Sequence, residues 1–299
     1  MNQRIFGIVP PMVTPFRPDG TIDLDALQAE TRYLIETAKV HGLAVCGSTG
    51  EGHTLSTEET RQVTATVQEA AAGRVPVITG IIANSTASVI ERGRAVRDLN
   101  VAALQVTPVH YLFRPDDDAM VRHFAEITAA TEIPVMIYNV VPWTYLSPQL
   151  LTRIITEVDG VCGVKQSAGD MKLLADLLMM VGSRARIMSA IDALLYPSFT
   201  LGAVGAIAAI LTAAPTLCVE LWNAVEAGDH DRARGVHEKL LPLWNAIFSD
   251  NLPANVRYCM ELQGRRGGIP RPPMPATADA QKGPIREALA AAGMLKDAS

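Results

Sequence analysis

Basic residues are the first thing this sequence is short of. Its 26 Lys and Arg are outnumbered by 31 Asp and Glu, for a net charge of −5. No basic stretch is long enough to offset the repulsion of a phosphate backbone, which excludes nucleic acid as the main partner. The densest cluster, Arg265-Arg266 with Arg271, is broken by Gly and Pro and reads as a solvated loop. Cysteine is scarce too. Residues 46, 162, 218 and 259 show no CxxC or other ligand spacing, so they read as buried, reduced thiols of a cytoplasmic protein. None of the six histidines forms an HxH or HExxH pair, which argues against a metal centre. The order of residues 47–52 is not G-x-G-x-x-G, so dinucleotide binding has little support. The start, Met1-Asn2-Gln3-Arg4-Ile5, lacks the apolar core of a signal peptide. Residues 201–219 carry no charge, yet Gly202, Gly205 and Pro215 interrupt them; a buried strand and a packed helix explain the stretch better than a membrane span.

What is present is regular alternation. The 299 residues are 48% apolar and 19% charged, suited to one large soluble domain or two small ones. Short apolar runs fall at residues 7–9, 42–46, 75–80, 102–106, 134–138, 161–165, 187–190 and 205–208, each followed by a helix-like segment. Ser56-Thr57-Glu58-Glu59 is a capping box, and Ser147-Pro148 places a capping hydroxyl before a proline at the first helical position. Residues 23–40 carry a one-sided apolar stripe of Leu24, Leu27, Leu34 and Ala38. Strands apolar on both faces and separated by helices imply a parallel sheet. Eight such units fit an α/β fold of the (β/α)8 TIM-barrel type, with a doubly wound open sheet as its rival. The barrel is assigned to residues 1–210. Residues 211–299 read as additional C-terminal helices, near 212–227, 230–249, 252–263 and 283–293, packed on the barrel as part of one structural unit.

Lys165 is the residue that this scheme does not explain structurally. It closes Val161-Cys162-Gly163-Val164, a buried strand, where it must shed most of its hydration. Desolvation favours the neutral amine, the form that attacks carbonyl compounds. In a parallel barrel, catalytic groups come from the C-terminal strand ends and the loops after them. Those ends supply Gly47-Ser48-Thr49-Gly50-Glu51, Thr107-Pro108, Tyr138-Asn139 and Lys165. Gly47 lets backbone N–H groups turn inward, and Ser48 and Thr49 add hydroxyl donors, a combination that holds a carboxylate. Tyr138 offers a phenol that can relay a proton. Ser167 beside the lysine and Ile207 in the eighth run are counted as substrate contacts. A nucleophilic amine, a proton shuttle and an anion clamp are what Schiff-base chemistry on a 2-oxo acid needs.

In order along residues 4–275 stand Pro11-x-Val13-Thr14-Pro15-Phe16, Gly47-Ser48-Thr49-Gly50-Glu51, Tyr138-Asn139, Gly163-Val164-Lys165-Gln166-Ser167, Leu201-Gly202-x-x-Gly205 and Arg271-Pro272-Pro273. In these the chain resembles the N-acetylneuraminate lyase and dihydrodipicolinate synthase superfamily of class I, pyruvate-dependent aldolases. The resemblance implies a TIM barrel with C-terminal helices, usually a homotetramer, and a lyase that needs no metal or organic cofactor. It implies Lys165 as the Schiff-base lysine, Tyr138 as the relay, and Ser48 and Thr49 as binders of the 2-oxo acid carboxylate. The expected partners are small molecules, a 2-oxo acid and an aldehyde, with no membrane.

Departures from the family pattern bear on the second substrate. Dihydrodipicolinate synthases carry, after the Tyr-Asn pair, an arginine for that substrate's carboxylate; here Trp143 stands there, and an indole cannot replace a bidentate cation. An aldehyde without a carboxylate is therefore expected. Trp143 either lines the pocket or packs under a loop. Two residues after Thr107-Pro108 the family often has a tyrosine that reaches a neighbouring subunit; here His110 holds that place and Tyr111 follows, and either can serve. Sialic-acid lyases supply adjacent acids from the seventh strand's loop, whereas Ser189-Ala190-Ile191-Asp192 has one. Alternatives within the same machinery are a 4-hydroxy-tetrahydrodipicolinate synthase and a 2-keto-3-deoxy sugar acid dehydratase. Outside it stands a non-catalytic 2-oxo acid binding protein.

Overall fold

The structure, a computed structural model, describes residues 4–295. Residues 1–3, part of the start read for a leader, and residues 296–299 of the C-terminal segment lie outside the described residues. Eight parallel strands form one sheet: β1 (Gly7–Ile8), β2 (Leu43–Val45), β3 (Val77–Ile81), β4 (Ala103–Val106), β5 (Val135–Asn139), β6 (Val161–Gln166), β7 (Arg186–Ser189) and β8 (Gly205–Ala206). Their order is β1-β8-β7-β6-β5-β4-β3-β2. The seam between the ends is closed by a parallel bridge, Pro11 to Ala44, with Ala44 N–H donating to Pro10 O and Met12 N–H to Ala44 O. The fold is the expected (β/α)8 barrel rather than an open sheet.

Side-chain direction follows the two faces of this sheet. Ile78, Ala103, Met136, Met188 and Ile207 fill the barrel axis, while Leu104, Val106, Val135, Ile137 and Val164 pack against the surrounding helices. One irregularity matters. Val135 pairs with Val161, but Met136 pairs with Gly163, so β6 carries an extra residue at Cys162. Val161 faces the helices, and strict alternation from it would turn Lys165 outward as well. The bulge resets the phase, and Gly163 and Lys165 turn to the axis with Met136 and Tyr138. Glycine is required at 163 because a Cβ there would lie 2.3 Å from Arg186 O on β7.

The capping signals form as read. Ser56 accepts from Glu59 N–H and Glu59 returns to Ser56 N–H, opening the helix Thr57–Ala71; Ser147 caps Pro148–Glu157. Three expectations are corrected. The helix expected over 212–227 is split into Ile210–Ala213 and Pro215–Glu226, because Pro215 cannot donate an amide and Ala214 before it leaves helical geometry (φ −136°, ψ 61°). The last helix begins earlier than 283, spanning Asp279–Ala291. The basic segment near 265–271 is not simply solvated. Arg265 is buried against Glu30 at 2.8 Å, and Arg271 grips Glu59 through both terminal nitrogens; only Arg266 in this group is exposed. The uncharged stretch 201–219 is a strand and buried helix, and among the described residues no helix is long and apolar enough to cross a membrane.

The C-terminal helices share the barrel's core, since one apolar cluster runs from Ile8, Leu34 and Val63 to Leu221, Leu243 and Ile285. A buried ion pair adds a polar tie: Arg257, on the helix Leu252–Leu262, meets Glu51 at 2.5 Å with both side chains almost fully buried. Arg257 also donates to Thr14 O, Pro253 O and Gly267 O. Removing one partner of such a pair leaves a charge without compensation. Arg257→Met is therefore expected to cost roughly 3–5 kcal/mol, read as a lowered urea midpoint; an unchanged midpoint would show that the pair is not needed.

Candidate active site

The C-terminal ends of β5 and β6 set the centre of the site. Tyr138 and Lys165 are direct register partners on adjacent strands, so both side chains enter the barrel mouth together. Lys165 is 3% exposed, and its Nζ lies 3.8 Å from the centre of the Tyr138 ring. The Tyr138 hydroxyl donates to Ser48 Oγ at 3.1 Å. The amine against the Tyr138 ring and the phenol bonded to Ser48 thus gather at three strand ends.

The loop after β2 that carries Ser48 is held under strain. Cys46 (φ 56°) and Glu51 (φ 53°) are both non-glycine residues in the left-handed region. Gly52, just after Glu51, must be glycine, since a Cβ there would sit 1.8 Å from Cys46 O. Thr14 Oγ1 donates to Gly50 O, Glu51 accepts the Arg271 amide, and Arg257 fixes its carboxylate. Glu51 thereby acts as an anchor of the loop.

One step further along each strand, the outward residues hold the loops in place. Asn139 exchanges hydrogen bonds with the Leu146 backbone in both directions, and Gln166 Oε1 accepts from Asn139 and from Ala168 N–H. Ser167 N–H donates to Asn139 O, leaving Ser167 Oγ buried without a hydrogen-bond partner.

A cavity of about 470 Å³ opens on this centre, lined by Ser48, Thr49, Tyr138, Lys165, Ser167, Ile207 and Asp192, with an apolar remainder. Gly47 is not among the lining residues; its carbonyl accepts from Gly50 and Gly52 and shapes the turn. His110, Tyr111 and Trp143 are not brought to the cavity by this chain. The loop after β4 turns outward: Tyr111 is 74% and Trp143 67% exposed, His110 Nδ1 contacts Pro108 O, and the Trp143 indole donates to His110 O. Among the described residues no cluster suited to a metal ion occurs.

Asp192 was seen in the sequence only as a remnant of polyol recognition. It sits on the short turn Asp192–Leu194 after β7, accepts from Ile210 N–H at 2.8 Å, and is the cavity's one acidic group among the described residues. Burial pushes its carboxyl up to about 6, opposed by the Ile210 N–H and the charge of Lys165. Also unforeseen are Trp244, Phe248, Leu252 and Pro253, which reach the cavity from the C-terminal helices. Nothing in a local motif marks them, because they lie far along the chain from every strand end.

The profile of the Dihydrodipicolinate synthetase family matches residues 4–292. This chain belongs to that family. It is 33% identical over 300 residues to the 4-hydroxy-tetrahydrodipicolinate synthase of Methanopyrus kandleri, covering 99% of both chains. With the enzyme of the same name from Thermomicrobium roseum it shares 36% over 282 residues, 93% of this chain and 92% of that one. The crystal structure of the chloride-inhibited dihydrodipicolinate synthase from Acinetobacter baumannii complexed with pyruvate superposes with a TM-score of 0.92 at 29% identity, over 98% of this chain and 100% of that one. The protein is thus a lyase of the class I aldolase type, whose chemistry runs through a lysine Schiff base and not through an external cofactor.

Asp192 also yields a pH dependence. Its folded value lies above the ordinary 3.8, so the folded state holds a proton that the unfolded chain has lost. This contribution to stability is full below about pH 4 and is lost as pH rises through about 6. In Asp192→Asn that decline should vanish, so the variant's urea midpoint should gain on the wild type between pH 4 and pH 7. Parallel midpoints across that range would refute the assignment.

Proposed function

We propose that Lys165 condenses with the keto carbon of pyruvate or a longer 2-oxo acid, and that the resulting enamine makes or breaks a C–C bond with an aldehyde. The Lys165 amine adds to the keto group and water leaves, giving an imine. Loss of a proton from the adjacent carbon gives the enamine, with Tyr138 and the Ser48 hydroxyl as the relay. Ser48 and Thr49 hold the substrate carboxylate, which presents the reacting carbon in register. The observation that carries this reading is the in-register Tyr138–Lys165 pair joined to Ser48 within one cavity.

Lys165 is the one cation lining that cavity among the described residues, and imine formation engages its nitrogen. A second carboxylate would have no partner there and would face Asp192, which favours an aldehyde without one. The relatives' names support a second reading, 4-hydroxy-tetrahydrodipicolinate synthase activity, in which the aldehyde would be aspartate semialdehyde. We propose a homotetramer as the working assembly; the exposed Tyr111, Leu112 and Phe113 beside Trp143 are suited to contact a second copy. The free thiols of Cys46, Cys162, Cys218 and Cys259 support a cytoplasmic location.

Borohydride reduction in the presence of pyruvate should add a pyruvyl mass to Lys165 and inactivate the enzyme, and Lys165→Ala should lose both adduct and turnover. An unmodified Lys165 in an active preparation would sink the proposal. Tyr138→Phe should still form the adduct while kcat falls by about 10²–10⁴; a loss below tenfold would remove Tyr138 from the relay.

A further inference from the structure

The cavity's outer wall has a chemistry of its own. The helix His230–Ile247 ends at Phe248, whose N–H still bonds Trp244 O while its backbone turns extended. Residues four apart share a helix face, and here Trp244 and Phe248 stand with ring centres 5.0 Å apart, tilted by 32°. Trp244 is half-buried, whereas Phe248 is 65% exposed although it borders the active cavity. Val140, Ile191, Leu194 and Leu252 line the same cavity. Beyond Lys165, Tyr138 and the hydroxyls, Asp192 is the polar side chain in the lining, and its carboxylate already holds Ile210 N–H.

Resting on the imine reading above, we propose that the aldehyde partner is aromatic, its ring seated against Trp244 and Phe248. An aryl group loses little by leaving water and gains offset or edge contacts with both rings. A polyhydroxylated aldehyde would strip its hydroxyls of water against an apolar wall, with Ser167 Oγ as the free buried partner. An aldehyde carrying a carboxylate would approach Asp192 without a cation to meet it. In the condensation, the pyruvate-derived enamine carbon bonds to the aldehyde carbon and the carbonyl π pair moves to oxygen. That oxygen takes a proton from Tyr138. Water then hydrolyses the imine, freeing Lys165 and a 4-aryl-4-hydroxy-2-oxo acid; cleavage is the reverse.

The test uses the whole enzyme with pyruvate and, separately, benzaldehyde, glyceraldehyde and succinic semialdehyde, with products followed by mass spectrometry. Benzaldehyde should show a kcat/KM at least tenfold above either of the others. Phe248 is exposed, so its replacement should not compromise folding. Phe248→Ala should lower the benzaldehyde-to-glyceraldehyde ratio of kcat/KM, and Phe248→Lys should shift preference toward succinic semialdehyde by tenfold or more. A borohydride-trapped pyruvyl adduct on Lys165 without the benzaldehyde preference overturns this inference alone. Absence of the adduct overturns the imine reading and this inference with it.

Discussion

Burying a carboxylate and a guanidinium together is costly unless each finds further partners, and the Glu51–Arg257 pair meets that condition. Glu51 also takes the Arg271 amide, and Arg257 gives three further N–H groups to backbone carbonyls. Burial pulls the Arg257 guanidinium down from its ordinary value, and the opposing charge of Glu51 counters it. Through this pair the loop bearing Ser48 and Thr49 is tied to the same helix whose first turn, Leu252 and Pro253, lines the cavity. The anion clamp and the outer wall are thus positioned by one contact, and neither can move far without uncovering a charge.

The site divides into parts with different rigidity. Tyr138 and Lys165 hang from hydrogen-bonded strands, so their spacing is that of the sheet itself. Asn139 and Gln166 carry that order one residue further into the loops. Asp192, Trp244 and Phe248 sit instead on turns and helix ends, where side chains can change without disturbing the ladder. Chemistry held by the barrel and selectivity held by its periphery is the usual arrangement in this fold.

Much of this was legible in the sequence because it is written in local patterns. Eight apolar runs at regular intervals, the Ser56 capping box and the Ser147-Pro148 start all appear where expected. The strand-end residues Ser48, Thr49, Tyr138, Lys165, Ser167 and Ile207 share one cavity. What escaped notice depends on distance along the chain. Arg265 looks solvated until Glu30, 235 residues away, is placed beside it. Trp244 and Phe248 look like helix-face aromatics until the barrel mouth is beneath them. His110, Tyr111 and Trp143 were drawn from motif positions, and motif position fixes the strand end but not which way the following loop turns.

The bulge at Cys162 carries a further meaning. Because direction alternates residue by residue, the barrel reads β6 in a phase, much as a ribosome reads codons. The extra residue puts that phase right for everything downstream to Gln166. Adding or deleting one residue between Gly160 and Gly163 is therefore a frameshift of orientation. Composition and hydropathy would barely change, yet the amine would be handed to the helices and a valine to the substrate. Among homologues, this segment should hold its length even where its residue types differ.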